Sequence, residues 1–495
     1  MSLHRAAWMT WRAALRALLA SAMVLAFAAR AQPFESAPEP AAPRPLTIAA
    51  PTEQRLPNGL RVVLAARPGV RLVTAQLLVL SGSEADPPKR AGLSSMTAGL
   101  LTKGTRQRSA SAQAREAESL GGALESSAGW HQSQVSITVT VPQLDRALAL
   151  VGDAAMHPRF APIELARLRG QALDSLKVAY SQPATLAALE ADHRLFGAHP
   201  YGHPVEGTPA SLRRITRADL AAFHQTRYRP DNAVLVLAGD IDDATALRLA
   251  ARHFGTWNAA REAMPASVAS WAGVAATTSP ATVVVVDMPK ADQAAVVFAL
   301  PLPPLRADRA TAAVMNAVLG GDFSSRLNQQ IRIQRGLSYG VGSRLDARPL
   351  GAALRIGVQA RSESVAEVVA LVQAELDGLM VAPVPEAELA ARKSALIGTF
   401  GRSLETTAGL ADAVRSLVVA GLPVDELQSR AAKLAAVTAE EVQQFAAGHL
   451  GTARRRVVVA GAVADFGAAL SNQAALVVVK PDTLEPERGA GLADK

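Results

Sequence analysis

The chain has 495 residues, 49% of them hydrophobic but only 4% aromatic, so any core must be packed mainly from Leu, Val and Ala. The formal charge is +8; residues 1–31 carry Arg5, Arg12, Arg16 and Arg30 and no acid, so without them it falls to 8 − 4 = +4. So mild a balance, with no basic run interleaved with aromatics, argues against a nucleic-acid partner, and the lack of Cys excludes disulfides, a thiol nucleophile and a lipid-bearing Cys.

The N-terminal arginines precede an uncharged apolar run, Ala17–Ala29, and a small-x-small site, Ala29-Arg30-Ala31, before Gln32. This order predicts a cleavable secretory signal peptide over 1–31. The run is short for a bilayer span, so a periplasmic or secreted chain with no membrane contact after cleavage is expected. Residues 32–51, rich in Pro and Ala, read as an extended lead-in.

Structure is expected from Arg55 on. Asn58-Gly59 signals a tight turn between strands, and Leu72–Leu80 is a second apolar strand. Helices are predicted over Gly92–Thr102, with Leu93, Met96 and Leu100 on one face, and over Ser111–Leu120. A strand, Gln134–Val141, follows. Helices then span about Leu144–Ala155, Pro162–Tyr180 and Thr216–Thr226, before a buried strand at Asn232–Ala238.

Residues 262–280 read as a linker, after which the order of elements returns. Strands are predicted at Val283–Asp287 and Ala294–Leu300, helices at Asp308–Leu319 and Ser325–Gln334, and strands at Ser338–Leu345 and Ala352–Val358. Helices follow at about Ser364–Gly378, Pro385–Phe400, Thr406–Ala420, Val424–Leu434 and Thr438–Ala447, then a strand at Arg456–Ala460. Thr216, Asp219, Phe223 and Ala238-Gly239 recur as Thr438, Glu441, Phe445 and Ala460-Gly461, each offset by 222. Each Thr with the acid three residues on forms a capping box. The expected fold class is therefore α+β. It comprises two homologous α/β domains, 52–261 and 281–480, each a largely antiparallel sheet covered by helices mainly on one face, with a polar tail over 481–495.

The chemistry has few candidates. None of the nine histidines lies in an H-E-x-x-H or H-x-x-E-H arrangement. His199-Pro200-Tyr201-Gly202-His203 has two His at i, i+4, but Pro and Gly make it a turn rather than a helical metal site. Gly336-Leu337-Ser338-Tyr339-Gly340 matches G-x-S-x-G, which leaves a serine hydrolase at Ser338 as a weak alternative. That motif needs a strand before and a helix after, and here the order is reversed. Arg332 falls in the last turn of a predicted helix, Gly336 caps it, and Tyr339 enters a strand. Two readings stay open for this corner. Arg332 is a solvated helix-end cation and Tyr339 a half-buried strand aromatic, or the two form a clamp that donates hydrogen bonds to a peptide carbonyl and its developing oxyanion.

The ordered set Leu56-Pro57-Asn58-Gly59-Leu60, Gly82-Ser83, Ala91-Gly92-Leu93, Lys103-Gly104-Thr105, His199-Pro200-Tyr201-Gly202, Tyr228-x-Pro230-x-Asn232 and Leu327–Tyr339 resembles the pitrilysin/insulinase family of inverted-motif zinc peptidases, in its two-domain bacterial branch. The resemblance spans about residues 52–462 and implies a mitochondrial-processing-peptidase-like metallohydrolase fold. Counting back from Lys103-Gly104-Thr105, the family's two zinc histidines and its glutamate base fall on Ser95, Gly99 and Ala98. The downstream acidic ligand falls on Ser175, with Leu168 one motif step earlier and Asp174 adjacent. The resemblance thus implies no zinc bound by this chain. The family's substrate-contacting Arg and Tyr fall on Arg332 and Tyr339 without a gap. This pattern implies a zinc-less subunit that lends the pair to a zinc-bearing homologous partner in a heterodimeric peptidase of unfolded peptides. A peptide would add as a strand near Ala123–Gly129. The alternative from another class is a structural or peptide-binding scaffold in which the pair is a relic.

Overall fold

The computed structural model describes residues 48–258, 264–265 and 282–481. The expected signal peptide, almost all of the lead-in and linker, and the tail beyond residue 481 lie outside them. The first half contains strands β1 (Thr52–Arg55), β2 (Arg61–Ala66), β3 (Leu72–Val79), β4 (Glu125–Ala128), β5 (Ser133–Thr140) and β6 (Ala233–Gly239). Its helices are α1 (Leu93–Leu101), α2 (Ala110–Ser119), α3 (Leu144–Met156), α4 (Pro162–Ala179), α5 (Pro183–Phe196), α6 (Pro209–Arg214), α7 (Arg217–Arg227) and α8 (Asp243–Phe254). The second half contains β7 (Thr282–Asp287), β8 (Gln293–Leu302), β9 (Ser338–Arg348), β10 (Gly351–Arg361), β11 (Arg456–Gly461) and β12 (Ala475–Val479). Its helices are α9 (Arg309–Leu319), a π-helix at Asn328–Ile333, α10 (Val365–Val381), α11 (Glu386–Ser403), α12 (Thr407–Val419), α13 (Glu426–Ala436), α14 (Ala439–His449) and α15 (Val463–Ser471).

The repeat read from the sequence is a repeat of topology. The first sheet runs β1-β2-β6-β3-β5-β4 and the second β12-β7-β11-β8-β10-β9, so five strands correspond in order. Both capping boxes form, at Thr216–Asp219 before α7 and at Thr438–Glu441 before α14. The Asn58-Gly59 turn joins β1 to β2 with Gly59 at φ 97°, a value glycine adopts without steric cost. Parallel pairings occur at β2–β6, β7–β11 and β12–β7, where a strand returns after a helical excursion or from the C-terminus; the other pairings are antiparallel.

The expectation of sheets covered mainly on one face needs correction. Alternate residues of the central strands are buried on opposite sides. Val62, Leu64, Leu235 and Leu237 face their own half's helices, while Val63, Ala65, Leu78, Val234 and Val236 pack against Leu410, Val414 and Leu417 of α12. Reciprocally, α5 from the first half lays Leu186, Ala187, Ala191 and Leu195 on Val284, Val297, Ala299 and Val458 of the second sheet. Each half therefore lends a helix to the other's outer face, and both belong to one compact unit. Burying a Leu or Val side chain contributes roughly 1.5–3 kcal/mol, so each sheet's outer face is stabilised by the other half's helix.

Polar contacts key this exchange. Thr74 Oγ1 donates to Thr407 Oγ1 at 2.9 Å, and Arg355 of β10 pairs with Asp192 of α5 at 2.6 Å. Arg348 stands over the rings of Trp130 and Tyr201, 4.1 and 4.5 Å from their centroids. The His199–His203 segment is the predicted turn, and Tyr201 within it is fully buried; its hydroxyl accepts the Leu350 N–H.

Candidate functional site

The helix that carries the motif positions is α1. Gly92 precedes it at φ 90°, and the Asp86 carboxylate accepts hydrogen bonds from Gly92 N, Ser94 N and Ser94 Oγ at 2.8–3.1 Å. These satisfy otherwise unpaired N–H groups at the helix start. Burial nonetheless pushes the Asp86 carboxyl up to about 7, against the pull of those bonds. Beside it, burial raises Glu84 to about 7 as well; Glu84 Oε2 accepts the Gly82 N–H at 2.8 Å.

Along α1, Ser95 is half-buried, Ala98 is fully buried and Gly99 is half-buried. A Cβ at Gly99 would come within 3.0 Å of Leu168 Cδ2 on α4, so an apolar side chain fills the space beside that position. Leu168, one motif step before Ser175, is the α4 residue nearest Gly99. Ser175 and Asp174 lie exposed about two turns further on. Ser, Ala, Gly and Leu offer neither imidazole nor carboxylate, and among the described residues no group of three or more His, Cys, Asp or Glu could hold a metal ion. The donor set at these positions does not fit zinc. The neighbouring edge is intact: β4 is the outermost strand of the first sheet, and Ser126 Oγ donates to Ala98 O at 2.7 Å.

The corner at Arg332 and Tyr339 differs in two ways from its expected form. The predicted α-helix over Ser325–Gln334 contains a π-helix at Asn328–Ile333, with Gln334 N–H bonded to Gln329 O. π-turns of this kind recur at functional positions. Gly336 caps it at φ 63°, with Leu337 N–H reaching Ile331 O at 2.9 Å. Second, strand alternation would place Tyr339 on the side of Val341 and Ser343, which are 6% and 9% exposed. Instead the β9–β10 register jumps: Gly340 pairs with Gln359 and Ser338 with Ala360, leaving Tyr339 as the extra residue of a β-bulge. Tyr339 is 93% exposed. Arg332 is half-buried, its guanidinium 4.9 Å from the centroid of the exposed Phe323 ring. Neither side chain forms a hydrogen bond or ion pair within the described residues, and no contact joins one to the other.

Ser338 explains the bulge and answers the serine-hydrolase reading. Its hydroxyl lies 2.7 Å from Gly340 O and 2.5 Å from Gln359 O and accepts the Gly340 N–H at 3.0 Å. It is buried and committed to the backbone at a helix-to-strand corner, with no histidine or other base among its hydrogen-bond partners. Its hydroxyl braces the bulge that carries Tyr339.

The two half-repeats are mixed sheets covered by helices, and among the described residues no group of three or more His, Cys, Asp or Glu could hold a metal ion. Residues 61–208 match "Insulinase (Peptidase family M16)" and residues 214–396 match "Peptidase M16 inactive domain"; the chain belongs to peptidase family M16. It is similar to an uncharacterized zinc protease of Mycobacterium tuberculosis, 30% identical over 362 residues that cover 73% of this chain and 82% of that protein. An uncharacterized zinc protease of Streptomyces coelicolor is 26% identical over 400 residues, 80% of this chain and 86% of that one. Among solved structures, the peptidase M16 inactive domain from Pseudomonas fluorescens matches with a TM-score of 0.76 and 26% identity, covering 83% of this chain and 98% of that chain.

Proposed function

We propose that the chain is the zinc-less subunit of a heteromeric metallopeptidase and lends Arg332 and Tyr339 to a zinc-bearing homologous subunit that hydrolyses unfolded peptides. The observation that carries this reading is Tyr339 itself. A phenol held out on a bulge, 93% exposed and without an internal partner, has no packing role in its own chain. In the complex its O–H donates to the scissile carbonyl oxygen as negative charge develops, and Arg332 donates to a neighbouring backbone carbonyl. Neither group is a nucleophile or a base, so the chain alone leaves peptides intact. An extended substrate adds to the free edge of β4. The N-terminal arginine–apolar–small-residue pattern supports action in the periplasm or outside the cell.

The test is assembly and cleavage together. The mature chain is mixed with a homologue from the same source that retains H-x-x-E-H, sized, and assayed on an unstructured peptide. A stable mixed species whose cleavage is lost with Arg332→Ala in this chain supports the reading. A mixed species indifferent to Arg332→Ala and Tyr339→Phe would instead assign the chain a scaffold role.

A further inference from the structure

A second feature of β9 begins at the residue after Tyr339. Gly340, Gly342 and Gly357 lie on one face of the β9–β10 pair, Gly342 directly opposite Gly357 and Gly340 opposite Gln359. Strands lose stability at glycine, and a glycine in a strand interior usually has a reason in backbone conformation or close packing. Among the described residues neither reason applies. None of the three has a positive φ. A Cβ at Gly340 or Gly357 would meet nothing within 4 Å, and one at Gly342 only the Gly320 carbonyl oxygen at 3.8 Å. The three therefore leave open space outside the chain's own packing.

That space is a groove of about 420 Å³ between the two strands and α5, walled by Ala184 and Ala188. It falls in the size range of sites that hold small ligands or side chains. Two charged residues line it, Arg344 and Arg355. Arg355 is buried and paired with Asp192 and, at 3.3 Å, with Asp346. Arg344 is exposed and forms no ion pair among the described residues; its charge reaches the Asp192 and Asp346 carboxylates, which Arg348 and Arg355 also face, so three guanidinium groups against two carboxylates leave this end of the groove positive. β9 is the outermost strand of its sheet, and an extended chain passing along such an edge presents alternate side chains to one face.

We infer that this groove is a specificity subsite for the peptide that Tyr339 contacts: its glycine floor receives one large apolar side chain, and Arg344 pairs with a carboxylate beside it. The favoured occupant is an extended acidic peptide carrying a bulky apolar residue. The inference rests on the peptide-binding reading proposed above and adds the substrate class.

The experiment is fluorescence anisotropy with the purified mature chain and labelled unstructured peptides that differ only in a central Phe-Glu, Phe-Lys or Ala-Glu pair. The wild-type chain should bind the Phe-Glu peptide at least about tenfold more tightly than either variant peptide. Gly357→Val and Gly342→Val should abolish the preference for Phe while leaving thermal stability unchanged or raised, because Val suits an exposed strand position. Arg344→Glu should reverse the preference between Glu and Lys. Equal binding of the three peptides, or a Phe preference that survives both valine substitutions, overturns the subsite. The peptidase-subunit reading would survive that result, since it stands or falls on cleavage in the mixture. No binding of any peptide overturns the subsite too.

Discussion

Removing the single hydroxyl of Tyr339 should separate the proposed clamp from folding. The Tyr339 hydroxyl makes no hydrogen bond within the described residues, and the residue is 93% exposed, so Tyr339→Phe should change stability by no more than about 0.5 kcal/mol. If the phenol donates to the developing oxyanion at the partner's site, losing that one donor should lower kcat of the mixed enzyme roughly 10- to 1,000-fold, about 1.4 to 4 kcal/mol of barrier. KM should move little, because the bond strengthens in the transition state rather than in the bound ground state. The assay is steady-state cleavage of a quenched-fluorescence peptide by the zinc-bearing homologue, with this chain saturating, beside a thermal melt of each variant. Unchanged kcat at unchanged assembly refutes the clamp. A fall in melting temperature that accompanies the loss of activity would refute the premise that the ring is free of packing duties.

Ser338→Ala removes a hydroxyl that bonds the backbone on both sides of the bulge, and should cost about 1–3 kcal/mol and lower turnover of the mixture together with melting temperature. A fluorophosphonate probe should label neither wild type nor this variant, and labelling at Ser338 would revive the hydrolase reading. Leu195→Ala lies in the first half of the sequence but opens a cavity on the second sheet. It should cost about 2–5 kcal/mol and lower hydrogen-exchange protection in β7, β8 and β11 more than in β2, β3 and β6. Burial raises the Glu84 carboxyl to about 7, above its unfolded value, so its contribution to stability is present at low pH and lost as pH rises through 7. Glu84→Gln should therefore gain stability relative to wild type, by about 1–3 kcal/mol, as pH goes from 5 to 8. His131 and His224, which burial holds near 4, slope the opposite way, but their share cancels in the difference between variant and wild type.

The elements legible in the sequence were those with a local signal, including the largely apolar central strands β6, β8 and β11. The capping boxes at Thr216 and Thr438, the Asn58-Gly59 turn and the alternating strand at β5 each carry a local signal that the fold keeps. The helix α5 went unread. Its stripe mixes Leu186, Leu195 and Phe196 with the small Ala187 and Ala191, and its partner surface is the other half's sheet, so its core role depends on residues far along the chain. The same cause hid the double coverage of both sheets, because the residues that bury Val234 and Val236 come from α12, far along the chain. At the candidate site, Arg332, Gly336 and Tyr339 could be placed by spacing and by family resemblance. The π-turn and the bulge could not, since both are one-residue insertions that change a side chain's exposure without changing the pattern of letters. The groove glycines were visible as letters, but only the absence of neighbours around their Cα atoms gives them meaning.

The most direct measurement is zinc content counted against cleavage, for the purified mature chain alone and for its mixture with the H-x-x-E-H homologue. The split-site reading predicts no stoichiometric zinc and no cleavage for this chain alone. It predicts one zinc per mixed pair, and peptide cleavage that rises with added chain until the pair is complete. Stoichiometric zinc or cleavage by the chain alone would contradict it, and would mean that donors other than Ser95, Ala98, Gly99 and Ser175 build a metal site in this protein.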